Sequence, residues 1–266
     1  MDSEIVALSN ATNNPEKPVV AILGGAIVSD KINVILALMK KANAILIGGA
    51  MANTFLAAKG YSVGFSKYEE DKLDVAKEIM EQAEKLNVKL VLPVDVVAGS
   101  EFSPTAKRKT FAADAIADGY QAMDIGKKTC KLFANEIKHA KTVIWNGPMG
   151  VFEFKKFRKG TLAVAKAVAK SNAVSIVGGG DSVAAIQELG FANKITHLST
   201  GGGAEGVDII AVWQSLTNQS SDTTYNNTKI ARAHLPIASK TELGAIKIGD
   251  GLAITSDGTI SSASGI

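Results

Sequence analysis

Short apolar runs that end in glycine clusters recur along the first 204 residues of this 266-residue chain. The run from Val19 to Leu23 leads into Gly24-Gly25, and a helix-like segment follows. The run from Ala44 to Ile47 leads in the same way into Gly48-Gly49 and a second helix-like segment. Strand, glycine turn and helix alternate about six times, a pattern typical of a parallel sheet with helices on both faces. The chain is therefore predicted to adopt a doubly wound, Rossmann-like α/β fold with three layers.

Apolar runs and the helical spacing of apolar residues locate the individual elements. Strands are predicted at residues 19–23, 44–47, 89–92, 142–144, 173–177, 195–198, 245–248 and 252–255. Helices are predicted to begin near Ser29-Asp30 and to cover residues 51–58, 69–86, 127–138, 155–170, 183–189 and 209–216. Residues 98–124 are predicted to be irregular, with the basic group Lys107 to Lys109 in a solvated loop rather than a binding patch.

The composition changes after Ala204. Residues 205–266 hold 15 Ser or Thr, and their six acids against four bases give a net charge of −2. Residues 1–204 hold 25 bases against 20 acids, which gives +5. We therefore predict three parts, which are a polar helix and linker over residues 1–18, an α/β domain over residues 19–204 and an appendage over residues 205–266.

Composition also narrows the class of protein. The net charge of +3 is too small to indicate a nucleic-acid partner by itself. Cys130 is the one cysteine, so the chain cannot form an internal disulfide, as is usual in a reducing compartment. No apolar run reaches 18 residues, and the N-terminus lacks the pattern of a signal peptide. A cytoplasmic protein without a membrane partner is expected.

One segment combines polar side chains with a turn at the end of a predicted strand. It runs from Trp145 to Glu153 and follows the apolar run Thr142 to Ile144. In an open α/β sheet, ligands bind where a strand's carboxyl end opens into such a loop. The amide of Asn146 can read a polar ligand edge, and Glu153 can accept hydrogen bonds from sugar hydroxyls. An ordinary strand-to-helix turn is the alternative.

Glycine clusters follow four of the predicted strands. Because each lies at a strand's carboxyl end, all four are expected on one edge of the sheet. Unhindered backbone N–H groups at helix N-termini there would suit phosphate, whereas close helix–strand packing is the alternative. None of the clusters matches a P-loop or the dinucleotide-binding pattern. They are Gly24-Gly25, Gly48-Gly49, Gly178 to Gly180 and Gly201 to Gly203.

Two charged residues stand beside these clusters. Asp181 follows a glycine triplet at the start of a predicted helix. It can hold Mg²⁺ against nucleotide phosphates, or it can simply cap the helix. Lys31 lies one turn after the first glycine pair, within reach of a transferring phosphoryl group, and a solvent-exposed lysine is the alternative.

Four motifs of the chain resemble those of phosphoglycerate kinases: Leu23 to Lys31, Trp145 to Glu153, Gly178 to Ser182 and Ser199 to Ala204. The resemblance runs collinearly from about Glu4 to Ala204 and includes Leu92 to Asp95. It implies the C-terminal, nucleotide-binding half of such an enzyme, with residues 1–18 as the interdomain helix and linker. The implied reaction is the glycolytic phosphoryl transfer between 1,3-bisphosphoglycerate with ADP and 3-phosphoglycerate with ATP, with Mg²⁺ as cofactor.

The resemblance also implies roles for single residues. It places the adenine between the first two glycine turns and Met123, the ribose on Glu153 and Mg²⁺ on Asp181. The implied nucleotide-binding residues are Gly25, Ala26, Gly49, Ala50, Ala122, Met123, Asn146, Pro148, Glu153, Gly179, Gly180, Asp181 and Ser182. The implied catalytic residues, which stabilise the moving phosphoryl group, are Lys31, Gly179, Gly202 and Gly203.

The chain departs from the family pattern in several places. The family has lysine at the position of Ile27, which contacts the transferring phosphate, and glycine at Ala50 and Ala122 beside the adenine. The family's N-terminal domain binds 3-phosphoglycerate through a basic patch without a counterpart here, so a separate N-terminal domain is an expected partner. The family's C-terminal segment after Ala204 is also replaced.

Residues 238–252 resemble segments of bacteriophage tail- or head-fibre proteins. A fusion, a natural recombinant and an assembly artefact all remain open for this part. Two functions are therefore considered. The first is the ATP/ADP-binding half of a phosphoglycerate kinase. The alternative is a non-catalytic nucleotide-binding or structural fusion protein that carries a fibre-like segment.

Overall fold

A six-stranded sheet lies at the centre of the first domain. The computed structural model describes residues 14–199, 242–243, 246–247, 252–254 and 260–262. The strands up to residue 199 are β1 Val19–Leu23, β2 Ala44–Ile47, β3 Ser62–Val63, β4 Lys89–Val91, β5 Asp95–Gly99, β6 Arg108–Ala112, β7 Ala115–Ile116, β8 Gln121–Ile125, β9 Thr142–Asn146, β10 Val174–Gly178 and β11 His197–Ser199. The central sheet has the order β11-β10-β9-β1-β2-β4, and all its pairs are parallel, which confirms the predicted parallel sheet.

Helices cover both faces of this sheet. They are α1 Ile32–Met39, α2 Met51–Ala58, α3 Leu73–Lys85, α4 Lys127–Lys138, α5 Lys159–Lys170 and α6 Gly180–Glu188. Side chains alternate across a strand, so Val19, Ala21 and Leu23 join an apolar core with α1, α2 and α3. Val20 and Ile22 join a second core with α4, α5 and α6. The doubly wound, three-layer fold is therefore confirmed.

A second sheet corrects the sequence prediction for residues 98–124. These residues were expected to be irregular, but they contain β6, β7, β8 and the end of β5. Strands β6, β5 and β8 pair in that order as an antiparallel sheet. Strand β6 begins with Arg108 and Lys109, whose side chains are exposed. Such a strand lacks the alternation of apolar and polar residues by which strands are recognised.

The predicted helices differ from the observed ones mainly at their starts. A separate 3-10 turn precedes three of them: Ser29–Lys31 before α1, Glu70–Lys72 before α3 and Lys155–Phe157 before α5. Helix α6 begins at Gly180, three residues before the predicted start at Val183. The earlier start puts Asp181 and Ser182 into the first turn of α6.

Short strands beyond residue 241 form two antiparallel pairs. Strand β12 Glu242–Leu243 pairs with β13 Ile246–Lys247, and β14 Leu252–Ile254 pairs with β15 Ile260–Ser262. The chain divides into two compact units, Met1–Thr217 and Asn218–Ile266. The helices predicted within residues 1–13 and 209–216 and the turn at 201–203 lie outside the described residues. In the described part of the chain, every helix is too short or too polar to cross a membrane.

Candidate functional site

The order of the central strands reverses between β1 and β9. The chain continues from β1 to β2 on one side of the sheet, whereas β9 pairs with β1 on the other side. In open α/β sheets, the loops at such a switch point diverge and leave a crevice for ligands. A cavity of about 600 Å³ lies at this point, bordered by the loops after β1, β2 and β9 and by strand β8. This volume is within the range of about 300–1,000 Å³ that small-molecule sites occupy.

The structure brings most of the implied nucleotide-binding residues to this one cavity. Those that line it are Gly25, Ala26, Gly49, Ala50, Ala122, Met123, Pro148, Glu153 and Asp181. The other implied residues within the described part of the chain are not part of the cavity wall. They are Lys31, Asn146, Gly179, Gly180 and Ser182. The loop after β1, which leads to Lys31, and the loop after β9, which follows Asn146, do border the cavity. The implied catalytic residues Gly202 and Gly203 lie outside the described residues.

The first two glycine pairs do not offer the unhindered N–H groups that were expected. The N–H of Gly25 donates to the carbonyl oxygen of Pro148 at 3.2 Å. The N–H of Gly49 donates to the carbonyl oxygen of Met149 at 3.0 Å. A Cβ at Gly24 would overlap the carbonyl oxygen of Pro148, so no larger residue fits there without rearrangement. These glycines allow three loops to approach one another closely, and the N–H groups of Gly25 and Gly49 already donate to carbonyl oxygens of the protein.

The glycine cluster before α6 has a different environment. The N-cap residue of α6 is Gly179, with φ of +89°, and it has no side chain to accept the helix's first N–H groups. A Cβ at Gly180 would meet no atom within 4 Å. The hydroxyl of Ser182 accepts the N–H of Gly147 at 2.9 Å, which joins the start of α6 to the loop after β9. Among the glycine clusters within the described residues, this one has the features of an anion site at a helix N-terminus.

Two carboxylates lie on the cavity wall near the start of α6. Burial raises the pKa of Asp181, and the negative charge of Glu153 raises it further. Asp181 is the second residue of α6 and not its N-cap, so the capping alternative does not describe its position. A cation bound between the carboxylates and an anionic ligand would relieve their repulsion.

The protein side chains alone do not complete a metal site. Within the described residues, no group of three or more His, Cys, Asp or Glu side chains is placed so that it could hold a metal ion. Mg²⁺ commonly binds through one or two carboxylates and completes its shell with phosphate oxygens and water. Asp181, with Glu153 near it, therefore fits a Mg²⁺ that arrives with a nucleotide.

Lys31 is held against the carboxyl end of β9. Its Nζ donates to Oδ1 of Asn146, and the lysine is half-buried. A Cβ at Gly179 would lie 3.3 Å from Nδ2 of the same asparagine. The structure therefore brings Lys31, Asn146 and Gly179 together, and the alternative of a lysine extended into solvent does not describe this contact.

Several residues that were not predicted as site residues also line the cavity, and Phe102 and Lys67 are two of them. Phe102 is 65% exposed, and its ring centroid lies 5.2 Å from that of Phe154. It belongs to the segment that was expected to be irregular, and an aromatic residue in such a polar loop was the signal that could have indicated it. Lys67 adds a cation to a wall that otherwise carries the acidic residues Asp124, Glu153 and Asp181.

Asp124 is another cavity residue that was not predicted. Its carboxylate accepts the N–H of Gly160 at 2.8 Å and that of Ile125 at 2.9 Å. Burial raises the pKa of Asp124 to about 7, although both N–H groups act in the opposite direction. Because Gly160 lies in the first turn of α5, Asp124 joins strand β8 to the helix that follows the Trp145 to Glu153 segment.

The different environments of Gly24 and Gly180 lead to a first testable prediction. We expect Gly180→Ala to leave the melting temperature unchanged or slightly higher, because the added methyl group meets open space and alanine favours a helix. The same substitution should weaken Mg-ADP binding about tenfold, because the methyl group would lie where a phosphate approaches the helix N-terminus. Thermal melting and calorimetric titration measure the two effects.

Gly24→Ala is the matched control. Its methyl group would overlap a backbone carbonyl oxygen, which the loop cannot avoid by rotating a side chain. Overpacking of this kind costs about 1–3 kcal/mol, so the melting temperature should fall. A loss of stability in Gly180→Ala as large as that in Gly24→Ala would contradict the assignment of Gly180 to a ligand-facing position.

Sequence and structure comparisons agree with this geometry. The sequence model of the family described as "Phosphoglycerate kinase" matches residues 1–206. The phosphoglycerate kinase of Clostridium tetani is 54% identical over 204 residues, which cover 77% of this chain and 51% of that protein. The phosphoglycerate kinase of Clostridium kluyveri has the same identity and coverage. The chain therefore spans about half the length of the curated relatives it matches.

Solved structures give the same result at the level of the fold. The phosphoglycerate kinase of Coxiella burnetii superposes with a TM-score of 0.75 at 43% identity, covering 80% of this chain and 55% of that one. The enzyme of Pyrococcus horikoshii superposes with a TM-score of 0.65 at 34% identity, covering 82% and 56%. Because the family match extends over residues 1–206 and the two Clostridium relatives are 54% identical over 204 residues, the chain belongs to the phosphoglycerate kinase family.

Proposed function

We propose that this chain is the ATP/ADP-binding half of a phosphoglycerate kinase. It would hold the nucleotide during phosphoryl transfer between 1,3-bisphosphoglycerate with ADP and 3-phosphoglycerate with ATP. The observation that carries the proposal is the cavity at the β1/β9 switch point, where nine of the residues implied in nucleotide binding meet. The acceptor substrate would be held by an N-terminal domain, which we propose as the partner of this one.

The adenine is proposed to lie in the apolar part of the cavity. Ala50, Ala122, Met123 and Pro148 line the wall there, and Phe102 offers an exposed aromatic ring at its edge. Flat apolar walls with a few polar groups are typical of sites that bind a heteroaromatic ring. The methyl groups of the two alanines narrow the space, so we expect weak binding.

The phosphates are proposed to lie at the start of α6. The first N–H groups of this helix, from Gly180 onward, have no side chain at the N-cap to bond them, and the helix dipole favours an anion there. Lys31 stands beside this position through its contact with Asn146 and would neutralise charge on the transferring phosphoryl group. Phosphoryl transfer depends mainly on such positioning and charge neutralisation.

Mg²⁺ would be held by Asp181 together with oxygen atoms of the phosphates. When bound, it supplies charge neutralisation to the phosphate oxygens. Glu153 is proposed to accept hydrogen bonds from the ribose hydroxyls. Its negative charge raises the pKa of Asp181, and a bound cation would offset the repulsion between the two carboxylates. A wall with three acids and one lysine is a poor site for a free anion, which supports a nucleotide that carries its own metal.

Calorimetric titration of the whole chain with Mg-ADP tests the proposal. We expect measurable binding in the presence of Mg²⁺ and a loss of about 10- to 100-fold in Asp181→Asn, because a charge-assisted contact is removed. With metal-free ADP, Asp181→Asn should bind at least as well as the unsubstituted chain, because it removes a negative charge beside the phosphates.

Asp118→Asn is the matched control, since Asp118 is exposed and is not part of the cavity wall. It should bind both forms of ADP like the unsubstituted chain. The absence of both heat and thermal shift at millimolar Mg-ADP would overturn the proposed function. An equal loss with and without Mg²⁺ in Asp181→Asn would contradict the metal role alone.

A non-catalytic role is the second candidate, and the residue at position 27 favours it. The side chain there is Ile27, which is half-buried and directly follows Gly25 and Ala26 of the cavity wall, at a position where the family resemblance implies a lysine. An apolar side chain cannot stabilise charge on a transferring phosphoryl group. Nucleotide binding is compatible with both candidates, whereas turnover with an acceptor substrate separates them.

A further inference from the structure

We propose that residues 65–69, here called the 65–69 strap, form a positioning element that holds Lys31 in place through Glu69. The inference rests on the proposed function, because it concerns how the phosphate side of the same nucleotide site is held. It adds to that proposal Glu69, which lies outside the four family motifs in sequence and is not part of the cavity wall, although Lys67 of the same strap is.

One end of the strap is attached to the wall of the cavity. The N–H of Phe65 donates to the carbonyl oxygen of Tyr120 at 3.0 Å. The hydroxyl of Ser66 accepts the N–H of Ala122 at 2.8 Å, and Ser66 is buried. Because Ala122 lines the cavity, this end of the strap lies directly behind the proposed adenine site.

The middle of the strap is attached to helix α2. Nδ2 of Asn53 donates to the carbonyl oxygen of Lys67 at 3.0 Å. The hydroxyl of Thr54 accepts the N–H of Glu69 at 3.1 Å. Asn53 and Thr54 are 2% and 1% exposed, so each contact has a buried side chain at its helix end, and the two together fix the backbone on either side of position 68.

The other end of the strap supplies a carboxylate to the turn that contains Lys31. Oε2 of Glu69 accepts the N–H of Val28 and, at 3.1 Å, the N–H of Ser29. Oε1 of Glu69 accepts the hydroxyl of Ser29. Three donors therefore converge on one carboxylate, and such charge-assisted hydrogen bonds are stronger than neutral ones. The N–H of Lys31 in turn donates to the carbonyl oxygen of Val28 at 2.8 Å.

These contacts have two consequences for the phosphate side of the site. Glu69 already accepts the N–H groups of Val28 and Ser29 before α1, so these groups are not available to a phosphate. A phosphate would accept the N–H groups at the start of α6 instead. The carboxylate also fixes the backbone from which the Lys31 side chain extends toward Asn146. A displacement of about 1 Å in such a group can cost about 100-fold in rate. The 65–69 strap thus connects Ala122, in the wall of the proposed adenine site, with the turn that carries Lys31 beside the proposed phosphate site.

The comparison of ATP and ADP tests the role of Glu69. Lys31 is proposed to act on the terminal phosphoryl group, so we expect Glu69→Gln to weaken Mg-ATP binding about tenfold and Mg-ADP binding less than twofold. Lys31→Met should produce the same selective loss. The double variant should be no worse than Lys31→Met alone, because Glu69 would act through Lys31. Glu70→Gln, at the exposed neighbouring position, is the control and should change neither affinity.

The outcomes separate the two proposals. A selective loss of Mg-ATP affinity without additivity supports the positioning role of Glu69. Equal losses for ATP and ADP, or fully additive losses in the double variant, overturn it while leaving the proposed function intact. If the unsubstituted chain binds neither nucleotide, the proposed function fails, and the role of Glu69 fails with it.

Discussion

The purified 266-residue chain is expected to show almost no phosphoglycerate kinase turnover when it is assayed alone, even under conditions in which it binds Mg-ADP. The reaction requires the acceptor carboxylate in line with the terminal phosphate of the nucleotide. The family resemblance assigns the acceptor site to the half of the enzyme that the 204 aligned residues do not cover. Alignment of two reactants can be worth about 7–11 kcal/mol of the barrier. The loss of this alignment should therefore lower the rate more than any other departure of this chain from the family pattern.

A coupled assay with ATP and 3-phosphoglycerate measures this effect. Addition of the N-terminal half of the Clostridium tetani relative should restore part of the turnover, because the two halves can then hold both substrates. The same half mixed with the Asp181→Asn chain should restore much less, which controls for activity of the added half. Turnover by the chain alone at the rate of a full-length relative would contradict this prediction.

The central sheet could be predicted from the sequence because its strands carry a strong local signal. The runs Val19 to Leu23 and Ala44 to Ile47 are continuously apolar and are buried on both faces, as the strands of a parallel sheet are. The small antiparallel sheet could not be predicted in this way. Its strand β6 is exposed and basic, and only its pairing with β5 makes it a strand. That sheet carries Ala122 and Met123, so one wall of the cavity lay in a segment without a local signal.

The site itself was predictable only in part, for a related reason. Glycine clusters at strand ends indicate one common edge of the sheet, and three of the four lie within the described residues. Which N–H groups remain for a ligand depends on contacts between loops, such as that of Gly25 with Pro148. Glu69 and Asp124 lie 41 and 36 residues from the N–H groups of Val28 and Gly160 that they accept. No local pattern encodes a partner at that distance.

Substitution of Ile27 by lysine is expected to raise turnover by about 100-fold when an N-terminal half is supplied. The resemblance implies an ammonium group at this position, and removal of one such transition-state contact costs about 10²- to 10³-fold in comparable sites. The structure places Ile27 half-buried, and it belongs to none of the four apolar clusters of the described residues. A lysine there could extend its ammonium group along the crevice, so the melting temperature should change little.

Val28→Lys is the matched control, because the neighbouring side chain is fully buried in the core with α1. An ammonium group without a partner in that core should cost several kcal/mol and lower the melting temperature strongly. If Ile27 packs under the turn before α1 instead of facing the crevice, Ile27→Lys should behave like Val28→Lys. A strong loss of stability in Ile27→Lys without any gain in complemented turnover would exclude the ligand-facing position. Retained stability together with faster complemented turnover would support a ligand-facing position for Ile27 and its effect on phosphoryl transfer.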